Sequence, residues 1–286
     1  MCYIMLNKTV EDIIRKEIVT VRARRTILDH LEGGLHTGAE LREKISTDIK
    51  GQMVKEGASK RDIEKVKVTS PKLYHNTKRL EELGIIVSWK QSQYRLFELE
   101  PRAIHPVRRA LYSVGAIDQP KPMLYVTSLS NPEDQLPFVQ WIRNTLPEIV
   151  EREITEKEDM RLWKPRYLPS KLLVFVEALH WSRGVSRIGG RFIPDDEFRE
   201  RTTEWIQIPD DITGADDERE YGNLQRTYEY IENVVLDHIQ DFNLVFDLTL
   251  GPTLATLAMA KIAHEYSTEA FRVSRYDTSD AEISYY

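Results

Sequence analysis

The stretch that most narrows the folds open to this chain is residues 245–263, VFDLTLGPTLATLAMAKIA. An apolar run from Leu244 to Phe246 delivers Asp247 and Thr249 to a turn built on Gly251 and Pro252. A small-residue helix pattern, Ala255, Ala258, Ala260 and Ala263, begins at once. Gly permits the turn, and Pro suits the first helical turn, where an amide hydrogen has no partner to lose. A strand feeding a tight turn at a helix N-terminus is the usual ligand position of a Rossmann-like sheet. Free amides and the positive helix end favour an anion such as phosphate there.

The rest of the C-terminal half alternates strand and helix patterns, which predicts a mainly parallel sheet with flanking helices. Strands are expected over 123–127, 171–178, 205–208, 243–248 and 271–276, with helices over 133–146, 218–241 and 252–266. Residues 182–203, with Gly189 and Gly190, read as a basic loop. Open α/β sheets bind ligands beyond the carboxyl ends of their strands. Two loops are therefore candidate ligand sites, 127–132 with Thr127, Ser128, Ser130 and Asn131, and 247–253 with Asp247, Thr249, Gly251 and Thr253. Hydroxyls, an amide and glycine suit phosphate, ribose or base edges. No Ser-His-Asp order, paired catalytic carboxylates, GxxxxGK[ST] loop or GxGxxG turn is present, so no catalytic residue is assigned.

Residues 20–99 read as a winged helix-turn-helix. A first helix over 22–31 has Ile27, Leu28 and Leu31 at apolar spacing and stops at Gly33-Gly34. A second opens at Thr37, with Glu40 three residues on as a capping box, and buries Leu41 and Ile45. A third opens at Ser70-Pro71, closes at Gly84, and turns Leu73, Leu80 and Leu83 to the core. Its other face carries Lys72, Tyr74, His75, Asn76, Lys78 and Arg79. Strands over 85–89 and 94–99, joined by residues 90–93, complete a hairpin wing. Such a helix presents cations and amides to the major groove of double-stranded DNA, while Lys90 and Arg95 of the wing reach flanking phosphate. Residues 47–69 are too long for the usual turn between the second and third helices, and read as an extra helix or an insertion.

Charge divides in the same way. Residues 1–100 hold 19 Lys and Arg against 15 Asp and Glu, and the remainder 21 against 31, within a net charge of −6. A basic module joined to an acidic one fits a DNA-binding head on a body that avoids DNA. The expected domains are 1–100, a linker over 101–121 in which prolines bracket a basic link and residues 108–112 form a short connecting helix, and 122–286. The single cysteine, Cys2, excludes an intrachain disulfide and a cysteine-based metal cluster, and the seven histidines lack HxxxH or HExxH spacing. No metal is expected. No apolar run approaches the roughly 20 residues of a membrane span. The N-terminus lacks a basic start and a cleavage site, so the cytoplasm is the expected compartment.

The loop Thr127-Ser128-Leu129-Ser130-Asn131-Pro132 and the run Asp247-Leu248-Thr249-Leu250-Gly251-Pro252-Thr253 together carry a family resemblance. Over about residues 122–277 the chain resembles a CARF domain, the Rossmann-like sensor of CRISPR-associated and related archaeal transcription regulators. The second run is similar to the family's D-x-T-G-G-T-K. Leu250 stands where the motif has its first glycine, Pro252 replaces the threonine, and Thr253 replaces the lysine, which removes a phosphate partner. The resemblance implies a homodimer whose sensor domains pair and bind a nucleotide effector such as a cyclic oligoadenylate. No other cofactor is expected.

The combined expectation is a dimeric transcription regulator. Two recognition helices enter major grooves about 34 Å apart, and a ligand acts through its differential affinity for two spacings of the heads. Two alternatives stand beside it. One is a nucleotide-cleaving CARF-like enzyme. The other is an architectural or replication-associated DNA-binding protein whose degenerate sensor serves only for dimerisation.

Overall fold

The computed structural model describes residues 2–117, 121–130, 141, 170–177, 203–213, 222–273 and 283–286. The chain divides into two compact units, Met1–Pro120 and Lys121–Tyr286.

The first unit begins with helix α1 (Cys2–Thr20), which buries Ile14 and Ile18. Helix α2 (Arg22–Glu32) follows and buries Ile27, Leu28 and Leu31, the spacing seen in the sequence. Two-residue strand β1 (His36–Thr37) leads into α3 (Gly38–Lys55). The Thr37/Glu40 capping box is present: each side chain takes the other's backbone amide, satisfying two amides that a helix start leaves unpaired. Those bonds to Thr37 hold the Glu40 carboxyl below its usual pKa. Leu41 and Ile45 are buried, as the apolar spacing requires. Helix α3 does not stop at the expected insertion but continues through Lys55, and the short helix α4 (Lys60–Glu64), capped by Ser59, occupies part of what remains.

Helix α5 (Ser70–Glu82) buries Leu73 and Leu80, and Leu83 is half-buried just beyond its end. Thr69, not Ser70, precedes the helix, so Pro71 lies one position further in. Strands β2 (Ile86–Gln91) and β3 (Tyr94–Leu99) pair antiparallel through Gln91 and Tyr94. The turn is therefore only Ser92-Gln93, not residues 90–93. Ser92 takes the positive φ that a tight hairpin demands. β1 pairs with β3, which gives a three-stranded sheet in the order β1-β3-β2.

The expected linker holds a 3-10 turn (Pro101–Ala103) and helix α6 (Ile104–Ser113), longer than the connecting helix expected over 108–112. α6 packs on α1 and α2 and buries Val107, Ala110 and Leu111. Its Arg108 donates from Nε to Glu32 of α2 at 2.6 Å, with both side chains nearly inaccessible. Arg22 ties α2 to α3 with two guanidinium bonds to Asp48, at 2.7 and 2.8 Å, which hold that carboxyl below its usual pKa.

The second unit is built on strands β4 (Met123–Leu129), β5 (Lys171–Glu177), β6 (Thr203–Ile208), β7 (Asn243–Asp247), β8 (Glu269–Val273) and β9 (Ile283–Tyr285). The sheet order is β6-β5-β4-β7-β8-β9. The first five strands are parallel and β9 is antiparallel to β8. β9 has no counterpart in the sequence reading, and β8 starts two residues earlier than expected. With β4 as first strand, this is the doubly wound order of a Rossmann-like sheet, which reverses direction between β4 and β7. β4, β5 and β7 are buried almost end to end, which is why they read as continuous apolar runs rather than alternating ones.

Tyr125, Leu172, Val174, Val176, Val245, Phe271 and the buried Trp141 form one apolar cluster. Among the described residues the flanking helices are α7 (Asp210–Thr213), α8 (Leu224–Ile239) and α9 (Thr253–Glu265). α8 is shorter than expected, and opens where Asn223 accepts from the amides of Gln225 and Arg226. α8 and α9 pack on each other, and α9 also packs on β7 and β8. The small residues Ala255, Ala258 and Ala263 are buried. The expected helix over 133–146, apart from Trp141, and the basic loop over 182–203, apart from Thr203, lie outside the described residues. No described helix is long and apolar enough to cross a membrane.

Candidate functional site

The sequence points to two places, one in each unit. In the first unit, the spacing of Leu73, Thr77 and Leu80 turns one face of α5 inward and leaves Lys72, Tyr74, His75, Lys78 and Arg79 exposed. Asn76 does not join them. It is 6% exposed, and its amide donates to the Lys72 carbonyl at 2.8 Å, so it is not free to read a base. Its position explains this: three residues from Leu73 and four from Leu80, it shares their face. Arg79 is exposed, yet one guanidinium nitrogen lies 3.3 Å from Glu17 of α1. Glu17, itself buried, also pairs with Arg24. Lys78 stands 4.0 Å from Glu82 in an exposed pair, which costs it little freedom.

In the hairpin, Lys90 and Arg95 pair across the strands and are exposed. Arg95 is held: it donates to Ser88 Oγ at 2.8 Å and to Glu81 at 3.1 Å, and its guanidinium stands 5.7 Å from the Phe97 ring centroid. Lys72, Lys78 and Lys90, with His75 and Tyr74, are exposed on this surface.

In the second unit, the carboxyl ends of β4 and β7 meet at the point where the sheet reverses direction. β4 runs two residues further than expected, so Ser128 as well as Thr127 is a strand residue, and neither has exposed surface. Their pairing with Val174 and Phe175 of β5 is what holds them in the sheet. Ser128 Oγ donates to the Leu250 carbonyl at 3.2 Å, and Thr127 Oγ1 reaches the Asp247 carbonyl at 3.4 Å.

Asp247 ends β7 fully buried. It accepts from the Tyr125 hydroxyl at 2.5 Å and from the Thr249 amide at 2.9 Å, and Trp141 donates in turn to the Tyr125 hydroxyl at 3.3 Å. Thr249 Oγ1 accepts from the Val273 amide at 2.7 Å, which fastens the loop to β8. Gly251 takes φ +118°, and a Cβ there would lie 1.9 Å from Ser128 Oγ.

The two predicted loops therefore do converge. Thr127, Ser128, Asp247 and Thr249 hydrogen-bond within the chain and brace the turn. Ser130 is half-buried and Thr253, the first residue of α9, is exposed. Asn131 lies outside the described residues. Tyr125 and Trp141, which complete the buried network, were missed by the sequence reading because both resemble ordinary core aromatics. Among the described residues, no group of His, Cys, Asp and Glu could hold a metal ion.

No protein-family model matches the chain. No curated protein matches it in sequence. Among solved structures, it is similar to Enterococcus italicus Csm6 bound to cyclic hexa-2'-fluoro-hexa-dAMP, at 12% identity and a TM-score of 0.36. That similarity covers 54% of this chain and 34% of the other. It is also similar to protein VC1899 from Vibrio cholerae, at 11% identity and a TM-score of 0.32, over 53% of this chain and 30% of that one. The chain thus spans about a third of the length of these structures. The second unit is a Rossmann-like α/β domain by its own strand order.

Proposed function

We propose that the chain is a DNA-binding regulator in which the first unit is a winged helix-turn-helix and the second a CARF-like Rossmann domain. The observation that carries this reading is the element order α2-β1-α3-α5-β2-β3, with β1 paired to β3 beside the hairpin. In that arrangement α5 is the recognition helix, and its exposed Lys72, Tyr74, His75 and Lys78 face the major groove. The hairpin is the wing, and Lys90 meets flanking phosphate. The basic balance of residues 1–100 and the acidic balance of the remainder support the same division. A homodimer supplies two such heads, and the chain has no catalytic step.

In this reading the second unit carries the regulatory input. A nucleotide effector binds beside the first turn of α9, near Ser130 and Thr253, where helix amides favour phosphate. A second reading is favoured by the contact between Ser128 and Gly251: with the two loops packed on each other, the Rossmann domain acts as a dimerisation scaffold without a ligand.

Fluorescence anisotropy of the full chain on its own upstream DNA and on random duplex, across a salt series, tests the DNA-binding reading. Tighter binding to the upstream duplex, weakening steeply with salt, is the expected result. Equal, weak binding to both rejects it. Calorimetric titration with a cyclic oligoadenylate separates the two roles of the second unit. Heat of binding supports the sensor, and its absence beside intact DNA binding supports the scaffold. Turnover of a labelled cyclic or linear oligonucleotide would instead establish a cleaving enzyme.

A further inference from the structure

Successive side chains of a strand point to opposite faces, so the β2–β3 register sorts the hairpin tip into two chemistries. Trp89, Gln91, Tyr94 and Leu96 fall on one face, and Ser88, Lys90, Arg95 and Phe97 on the other. Leu96 and Phe97 are buried, whereas Trp89 is 39% exposed and Tyr94 is 53% exposed. Ser88, Trp89, Lys90, Gln93, Tyr94 and Arg95 line a recess of about 310 Å³ at this tip. Trp89 and Tyr94 thus stand open on one hairpin face, while Lys90 and Arg95 belong to the other face and reach the same recess at the tip.

We infer that the tip of the β2–β3 hairpin is a stacking site for an unpaired nucleotide, with Trp89 and Tyr94 taking the base and Lys90 its phosphate; this rests on the DNA-binding reading of the first unit. A single-stranded nucleotide needs two contacts that blunt duplex does not offer together, a π surface for an exposed base and a cation for the adjoining phosphate. Arg95 is already engaged with Glu81 and Ser88, which leaves Lys90 as the cation for the ligand. The arrangement discriminates poorly between bases, because every base has a π face. It does discriminate paired from unpaired strands, because bases stacked within a duplex are not available to Trp89. The wing therefore adds a preference for melted, forked or single-stranded DNA to the duplex binding assigned to α5.

The test is fluorescence anisotropy of the full chain on three probes: a mixed-sequence single strand, a blunt duplex, and the same duplex with a forked end. The expected result is tighter binding to the fork than to the blunt duplex. Trp89→Ala then lowers affinity for the fork and the single strand by about tenfold, the scale of one lost base stack, and leaves the blunt duplex unchanged. Trp89→Phe keeps most of the affinity, and Lys90→Ala lowers the single-strand salt slope by about 0.7. Circular-dichroism melting of each variant confirms that it folds. Equal losses on all three probes, or none on any, overturn the stacking site. Single-strand binding that depends on Trp89, with no duplex binding at all, keeps the stacking site and rejects the duplex-binding regulator. A wild-type chain that binds none of the three probes rejects both.

Discussion

Ser128 and Gly251 stand closer than any side chain between them allows: a Cβ on Gly251 would lie 1.9 Å from Ser128 Oγ and 2.8 Å from the Ser128 carbonyl oxygen. Gly251 also takes φ +118°, so both its backbone and its surroundings require glycine. Gly251→Ala should destabilise the chain by roughly 1–3 kcal/mol, measured by urea denaturation. Ser128→Ala, which removes only the bond to the Leu250 carbonyl, should cost about 1 kcal/mol. A Gly251→Ala variant as stable as the wild type would contradict this packing.

The Glu32–Arg108 pair is the buried charge contact that joins α2 to α6. Removing one partner leaves the other charged and desolvated, at a cost of about 3–5 kcal/mol. Glu32→Leu and Arg108→Met should each show that loss in chemical denaturation, and the double variant should recover most of it. If the double variant loses as much as the two single variants summed, the pair is not coupled as its geometry implies.

His105 is fully buried, and burial, aided by Arg108 and Arg109, holds its pKa well below the usual imidazole value. Below about pH 6.5 the unfolded chain binds a proton at this position and the native chain does not, so stability falls as pH falls. The slope is about 1.4 kcal/mol per pH unit until the native imidazole itself titrates. His30, also depressed by burial, adds in the same direction. Stability measured between pH 7 and pH 5 should decline less steeply in His105→Leu than in the wild type. Parallel slopes would remove His105 from the account.

On α5, Lys72→Ala and Lys78→Ala should each weaken binding to upstream and random duplex alike, and lower the salt slope by about 0.9. Asn76→Ala should instead cost about 1 kcal/mol of stability with base preference unchanged. A shift in the preferred sequence on Asn76→Ala would place that side chain at the DNA after all.

Local signals are legible in the sequence. The Thr37/Glu40 capping box needs only four residues, and the runs in β5 and β7 announce buried parallel strands by composition alone. Asn76 was readable too: its spacing from Leu73 and Leu80 is that of the buried face, and its polarity masked this. The bond between Arg79 and Glu17 has no signature in the sequence, because it joins residues 62 apart that only the tertiary fold brings together. By sequence the strand ends at Thr127, so Thr127 and Ser128 fall at the start of the candidate loop. Their pairing with β5 keeps them in the sheet, and no pattern within β4 itself records that partner.

The reversal of the sheet between β4 and β7 also bears on how the second unit assembles. β4 and β5 belong to an earlier stretch of chain, β7 and β8 to a later one, and Tyr125 and Asp247 meet across a separation of 122 residues. Contacts so far apart repay the entropy of loop closure only when they form, so they slow the search for the native state. The β4–β7 pairing joins the two halves, and the Tyr125–Asp247 and Ser128–Leu250 bonds lie beside it. The residues that the sequence marks as a candidate ligand site therefore also bridge the two halves of the domain, so a substitution there should bear on stability as well as on any ligand.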